Sequence, residues 1–490
     1  MIDEGSRRMR VLVTGSSGYI GGRLVPLLIE KGMTVRCMTR DPRKLEGRWQ
    51  DAEIVSADAE DLSSLLRAMK GVDIAYYLIH AMEGDEKHLL ERERSNAMNF
   101  RDAAAKCGVE RIVYLGGLGG EGVHHSQHLS SRQEAGRVLS EGSVPVTEFR
   151  AAIIVGSGSF SFEMLSALTD KLPVMVCPRW VNTPTQPIFI NDVLQYLICC
   201  LDHPETSGRV IDIGGPDILT YRTMMQTYAE VRGRKRLFIT VPVLTPRLSA
   251  WWVHLVTPVH ASLAYPLIDG LRVKTVCQSD LAKRLIPEVE LTPFREGVRL
   301  ALSATEHNQV ITNWSGAGLS RLSDAFENQI HTGIPVLSDR QTLTTTNSKS
   351  AIIDTFMRIG GNNGWYSHNA LWIIRGLIDR MIGGVGIRRG RRDPRNLRIG
   401  DALDFWRVED VDTERLLLRA EMKLPGKAWL EFQVKSRDER NELIQTAYFL
   451  PRGLPGFIYW YLLLPLHILI FRGMAREIIR RAELNMNHDS

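Results

Sequence analysis

The sequence predicts an α/β fold for its first part, a doubly wound parallel sheet, followed by a separate α+β domain. Three observations carry this. Short apolar runs alternate with amphipathic segments from Met9 to about Ala301, a glycine-rich turn breaks the first run, and alternating apolar and polar residues take over from about Gly333. The boundaries read 9–301 for the first domain, 302–332 for a linker rich in Asn, Ser, Gly and Thr, and 333–484 for the second.

A chain of 490 residues exceeds one ordinary core, in keeping with two domains. At 44% hydrophobic and 24% charged it has the composition of a folded globular protein, and a net charge of +5 calls for no polyanion, so no nucleic-acid partner is expected. Cysteines 37, 107, 177, 199, 200 and 277 form no CxxC pair, which suits a reducing compartment. MIDEGSRRMR has no apolar stretch of a secretory signal, so a cytoplasmic location is expected.

The elements follow in order. RVLVTG, LVPLLIEKG, TVRCMTR, LSSLLRAMKG, DIAYYLI and ERIVYLGG read as strand, helix and strand at the spacing of right-handed βαβ units. VTEFRAAIIVG and RVIDIGG add later strands. Residues 241–276, rich in Pro, Trp and Leu, read as a helical flap on the substrate side. In the last third, 340–346 alternates, 350–358 is amphipathic, and Leu430, Phe432 and Val434 share one face of AWLEFQVK. With ERLLLRAEMKL and ELIQTAYFL this makes an antiparallel meander closed by a long helix over about 454–484, a curved sheet gripping one helix.

The turn TGSSGYIG holds the first candidate site. Gly15 suits a tight turn, Gly18 a close approach of pyrophosphate to backbone, and Gly21 close helix–strand packing, with Ser17, Tyr19 and Ile20 between them. Strand before and helix after are the context this dinucleotide signature requires. At the end of the second strand, where an NAD site would place an acid for the ribose, the chain reads Thr39-Arg40-Asp41-Pro42-Arg43. Arg40 suits a 2′-phosphate, so NADP(H) is favoured over NAD(H). A solvated loop cation is the bland alternative.

TGSSGYIG, the DAEDL of 58–62, the GVDIAYYLIHA of 71–81 and the VERIVYLGG of 109–117 resemble atypical extended short-chain dehydrogenases/reductases of the NmrA-like type, and the nucleotide-binding accessory subunit of respiratory complex I. The resemblance spans about 9–301. It implies a Rossmann-type domain, Asp58 and Ala59 at the adenine, and Leu78, Ile79 and His80 lining the nicotinamide side. Without it, Asp58 reads equally as a helix cap and His80 as a satisfied core histidine.

Active members of that family carry a Ser after the fifth strand and Tyr-x-x-x-Lys on the next helix. Here the strand ends in Gly116-Gly117-Leu118-Gly119, and the Tyr and Lys positions hold His128 and Arg132. Arginine bonds a ribose or phosphate but does not give up its proton, whereas histidine titrates near neutrality. Unconventional reduction, with His128, His80 or Tyr77 supplying a proton, and cofactor-bound sensing or assembly without turnover are both open. In the enzymatic reading His80, Gly116, His128 and Arg132 face the nicotinamide. His124, His125 and His128 lie in a polar loop without a carboxylate set, so no metal site is expected.

The segments WYSHNALWIIRGLIDRMIGG, RRGRRDPRNLRIGDALDFWRV and FLPRGLPGFIYWYLLLPLHILIFRGM resemble a domain of uncharacterised function fused to such reductases, with the element order of the START-like helix-grip fold. That implies a cavity between sheet and helix for a lipid, isoprenoid, quinone or aromatic ligand. Arginines 388, 389, 391, 392, 395 and 398 read as a loop paired with Asp393, Asp401 and Asp404, or as a surface for an anionic headgroup. The run from Phe457 to Phe471, about fifteen residues, is short for a bilayer span and reads as a buried core helix. Tyr459, Trp460 and Tyr461 also allow an interfacial helix, and hence peripheral membrane contact.

Overall fold

The computed structural model of the chain describes residues 8–79, 86–119, 127–241, 265, 268–306, 336–386, 391–393, 396–437 and 440–486. The chain divides near residue 317 into two compact units. Most of the expected 241–276 flap and most of the expected linker lie outside the described residues.

In the first unit, strands β1 (Arg10–Val13), β2 (Thr34–Thr39), β3 (Ala52–Ser56), β4 (Ile74–Tyr77), β5 (Arg111–Gly117), β6 (Val146–Ala151) and β7 (Val210–Ile213) form one parallel sheet, ordered β7-β6-β5-β4-β1-β2-β3. Its strands are apolar on both faces because both faces are covered. Val11, Val13, Val35 and Val113 join α1 (Gly21–Glu30) and α6 (Ile190–Cys199) in one core. Leu12, Ala75, Ile112 and Tyr114 point the other way, into α2 (Leu62–Met69), α3 (Glu86–Cys107) and α4 (Gln127–Ser140). Tyr77 belongs to this second core: it is fully buried, edge-on to Phe100 at 4.8 Å. It therefore cannot supply the proton considered for it from sequence.

The remaining described helices of the unit are α5 (Phe160–Lys171), α7 (Tyr221–Val231), α8 (Leu281–Leu285) and α9 (Phe294–Glu306). Helix α9 runs to Glu306, beyond the point where the linker was expected to begin.

The second unit is a six-stranded antiparallel sheet. Its strands are β8 (Leu337–Thr345), β9 (Ala402–Leu403), β10 (Trp406–Val411), β11 (Arg415–Ala420), β12 (Gly426–Arg437) and β13 (Arg440–Pro451), ordered β8-β13-β12-β11-β10-β9. Helices α10 (Lys349–Met357) and α11 (Asn369–Met381) follow β8, and α12 (Gly453–Met486) closes the chain. Leu430, Phe432 and Val434 form one core with Leu443, Met474 and Ile478, so the period-two reading of β12 chose the correct face.

Two expectations change here. Helix α12 has 34 residues, and its first half leaves Leu454, Ile458 and Leu462 exposed, so the apolar run is not a buried core helix. Within the arginine-rich loop, Arg392 pairs with Asp401 at 3.1 Å, and Arg391 donates to the carbonyls of Met357 and Ile359. Asp404 instead accepts from the indole of Trp365 (2.8 Å) and the amide of Gly361 (3.1 Å). Arginines 388, 389 and 395 lie outside the described residues.

Candidate functional site

Strand order reverses between β1 and β4, and in an open α/β sheet the crevice at the carboxyl ends of such a pair is where ligands bind. Thr14 follows β1 there. Its hydroxyl donates to the carbonyl of Tyr76 (2.9 Å) and accepts from the amide of Leu78 (2.9 Å). Gly15 follows with φ of 63°, where a Cβ would lie 2.6 Å from the carbonyl oxygen of Leu78. A Cβ on Gly21 would lie 2.4 Å from the carbonyl oxygen of Gly15, so both positions demand glycine. Ser16 donates to the carbonyl of Met38 (3.0 Å), tying the loop to β2.

The loop feeds α1 at Ile20, which makes no side-chain cap, and the first turn of α1 holds no acid. Helix N-terminal amides without a protein cap suit an anion. Ser17 and Gly18 are half-buried beside this end. Tyr19 packs its ring under the Arg23 guanidinium at 4.7 Å, and burial raises its phenol pKa. Arg23 in turn donates to the carbonyl of Ser157 (2.8 Å), fastening the start of α1 to that segment.

Arg40 stands exposed immediately after β2. Its neighbour Asp41 is buried and held by Arg43 through Nε and Nη2, both at 3.0 Å. The acid in this turn is thereby neutralised within the protein. Asp58 follows β3: its amide donates to Ser64 Oγ (3.0 Å) and its carboxylate accepts from the amide of Glu60 (3.1 Å). The cap of α2 is Asp61, so the helix-cap alternative for Asp58 is set aside. Ala59 is buried, its carbonyl accepting from Asn99 (3.0 Å). Leu78 and Ile79 are half-buried after β4, and His80 lies outside the described residues.

On the far side of the crevice, β5 ends in Gly116 and Gly117. A Cβ on Gly117 would lie 2.7 Å from Leu129 of α4. Arg132 donates through Nη2 to the carbonyl of Leu115 (2.6 Å), and its own carbonyl accepts from Tyr114 (2.7 Å). His128 lies in the first turn of α4, four residues before Arg132. His124 and His125 lie outside the described residues.

Sequence reasoning missed three residues here. Thr14 and Ser16 lock the loop; their signal was a hydroxyl on either side of Gly15. Glu148 on β6 is buried, bonded by Arg150 (2.6 Å), and its carboxyl is pushed up by burial. Its oxygens lie where Cβ atoms on Gly116 and Gly136 would fall, at 3.1 and 2.6 Å, so those two glycines make room for it.

Comparison with known proteins bears on this geometry. The family described as NAD(P)H-binding matches residues 15–142, and the family described as protein of unknown function (DUF2867) matches 332–474. This chain joins an NAD(P)H-binding domain of the atypical short-chain dehydrogenase/reductase type to a DUF2867 domain. Cinnamoyl-CoA reductase 2 of Arabidopsis thaliana is 35% identical over 117 residues, 22% of this chain and 35% of that protein. The chain thus spans about a third of the length of the cinnamoyl-CoA reductases it matches. The (4-alkanoyl-5-oxo-2,5-dihydrofuran-3-yl)methyl phosphate reductase of Streptomyces griseus is 26% identical over 237 residues, 46% of this chain and 76% of that protein. Triphenylmethane reductase of Citrobacter sp., solved with NADP(H), shares the fold at TM-score 0.50 and 20% identity over 60% of this chain and all of that one.

The first domain matches an NAD(P)H-binding family, and its glycine loop, uncapped helix start and the crevice beyond β4 fit a nicotinamide coenzyme.

Proposed function

We propose that the protein is an NADPH-dependent reductase of an apolar compound that works without the Ser, Tyr and Lys set. The observation that carries the coenzyme preference is Arg40, exposed after β2 while Asp41 is occupied by Arg43. A guanidinium there recognises a 2′-phosphate, and no free acid competes for the ribose. Asp58, Ala59, Leu78 and Ile79 line the remaining length of the coenzyme in this reading, with His80 beside the nicotinamide. Bound NADPH supplies a hydride. The chain's own part is to orient the substrate at the end of β5, beside Gly116 and Gly117, and to supply a proton from His128. Arg132 braces β5 against α4 and positions that edge. Reductase relatives support the class of reaction.

The DUF2867 domain is proposed to hold the apolar substrate, a lipid, isoprenoid, quinone or aromatic. Gln445 is 1% exposed on the helix-facing side of β13, and neither its Nε2 nor its Oε1 has a partner among the described residues. The indoles of Trp372 and Trp406 and Nδ1 of His467 are also buried and unpartnered among them. Such groups are costly unless a ligand or water meets them.

The rival reading, a coenzyme-bound sensor or assembly factor without turnover, is favoured by the glycines where a hydroxyl would stand and by Arg132 being spent on Leu115. A screen of apolar carbonyl, enone and quinone compounds for NADPH consumption separates the two. Turnover that falls in His128→Ala supports the enzyme; tight NADPH retention with no turnover of any compound supports the sensor.

A further inference from the structure

We propose that α11 and the first half of α12 form a lipid-facing surface that seats the protein in the plane of an anionic membrane. More than half of the described exposed large apolar side chains lie on these two helices. On α11, Ile373, Ile374, Leu377, Ile378 and Met381 form one stripe, 44 to 67% exposed, while Trp372 and Asp379 face inward. On α12, Leu454, Ile458, Tyr461, Leu462 and Leu469 are 54 to 75% exposed, while Trp460 stacks on Phe449 at 5.6 Å.

The two helices are tied to common neighbours at both ends. At one end, a Cβ on Gly473 of α12 would touch Ser367, just before α11 begins. At the other, Lys423 bonds Asp379 (2.7 Å) and the carbonyl of Ile382 (3.0 Å) at the end of α11. Pro425, two residues on, accepts from the amide of Arg452 (2.9 Å) and would touch a Cβ on Gly456 at the start of α12. The start of α11 thus lies toward the middle of α12 and its end toward the start of α12, so the two run in opposite directions.

Charge selects the occupant. No carboxylate occurs between Arg452 and Arg476, and Arg452, Arg472 and Arg476 are exposed around the α12 stripe. The carboxylate of α11, Asp379, is 1% exposed and bonded to the amides of Gly386 and Lys423. Apolar side chains rimmed by cations match acyl chains beneath anionic headgroups. A second copy fits poorly, because a two-fold contact would set arginine against arginine with no carboxylate to pair them. Spanning is opposed by Phe471, Met474 and Ala475, which anchor α12 in the core of the second unit, and by Trp460, buried against Phe449, although the helix's length and apolarity would allow a crossing.

The test is sedimentation of the full-length protein with vesicles of phosphatidylcholine alone and with phosphatidylglycerol added. Wild type is expected to pellet with the anionic vesicles, less so with phosphatidylcholine, and to be released by alkaline carbonate. Leu377→Glu with Leu462→Glu should weaken binding about tenfold or more, with circular dichroism and NADPH binding unchanged. Failure of wild type to bind either vesicle overturns the proposal without relying on any variant. So does a double variant that binds like wild type, carbonate-resistant retention, which means spanning, or a soluble dimer that the double variant abolishes.

Discussion

Gly15 is where the coenzyme site and the fold depend on the same atoms. With φ of 63° and the carbonyl of Leu78 at 2.6 Å from any added Cβ, Gly15→Ala is expected to cost about 1–3 kcal/mol, visible as a lowered melting temperature and weakened NADPH binding. Arg40→Ala leaves the fold alone because the side chain is exposed. Loss of a charged hydrogen bond to phosphate is worth about 1.5–3 kcal/mol, so NADPH affinity should fall roughly ten- to a hundredfold while NADH affinity stays. Titration of both coenzymes checks it. Asp404 gives a pH signature: burial pushes its carboxyl up to about 6. Between its ordinary value and about 6 the folded chain keeps a proton the unfolded chain has lost, so its contribution to stability declines as pH rises through that window. Asp404→Asn, at a position with φ of 54° that Asn tolerates, should flatten this part of the melting temperature's pH profile.

At the level of elements, most of the first sheet was legible. Val11, Leu12 and Val13 are consecutive apolar residues because successive side chains enter opposite cores, and the glycine loop follows directly. Helix α10 was legible as an amphipathic segment, and its start is set by Ser348, whose hydroxyl accepts from the amide of Ala351 (3.3 Å). Ser348→Ala should destabilise the second unit by about 1 kcal/mol, read by thermal unfolding. What sequence could not supply were partners brought together by the fold. Glu148 meets Gly116 and Gly136 through three separate elements, and Arg132 meets Leu115 across α4 and β5. Tyr77 sits beside Leu78 in sequence yet faces the opposite core, because successive strand residues alternate. Helix α12 was readable as long and apolar. Which of its faces stays open depends on β13, β8 and α10, and composition carries no record of that.

For the whole molecule, two units imply two responses. A ligand that binds one folded unit stabilises that unit alone, by about 2.7 kcal/mol at a hundred times its dissociation constant. Differential scanning calorimetry with NADPH should therefore raise the transition of the NAD(P)H-binding domain and leave that of the DUF2867 domain in place. A common upward shift of both would mean that the units unfold as one.

The central claim is that the glycine loop and Arg40 hold a phosphorylated nicotinamide coenzyme. Isothermal titration of the purified full-length chain with NADPH and NADH tests it most directly. The account predicts one NADPH per chain, bound about tenfold or more tighter than NADH. No heat of binding from either coenzyme at millimolar concentration would contradict it.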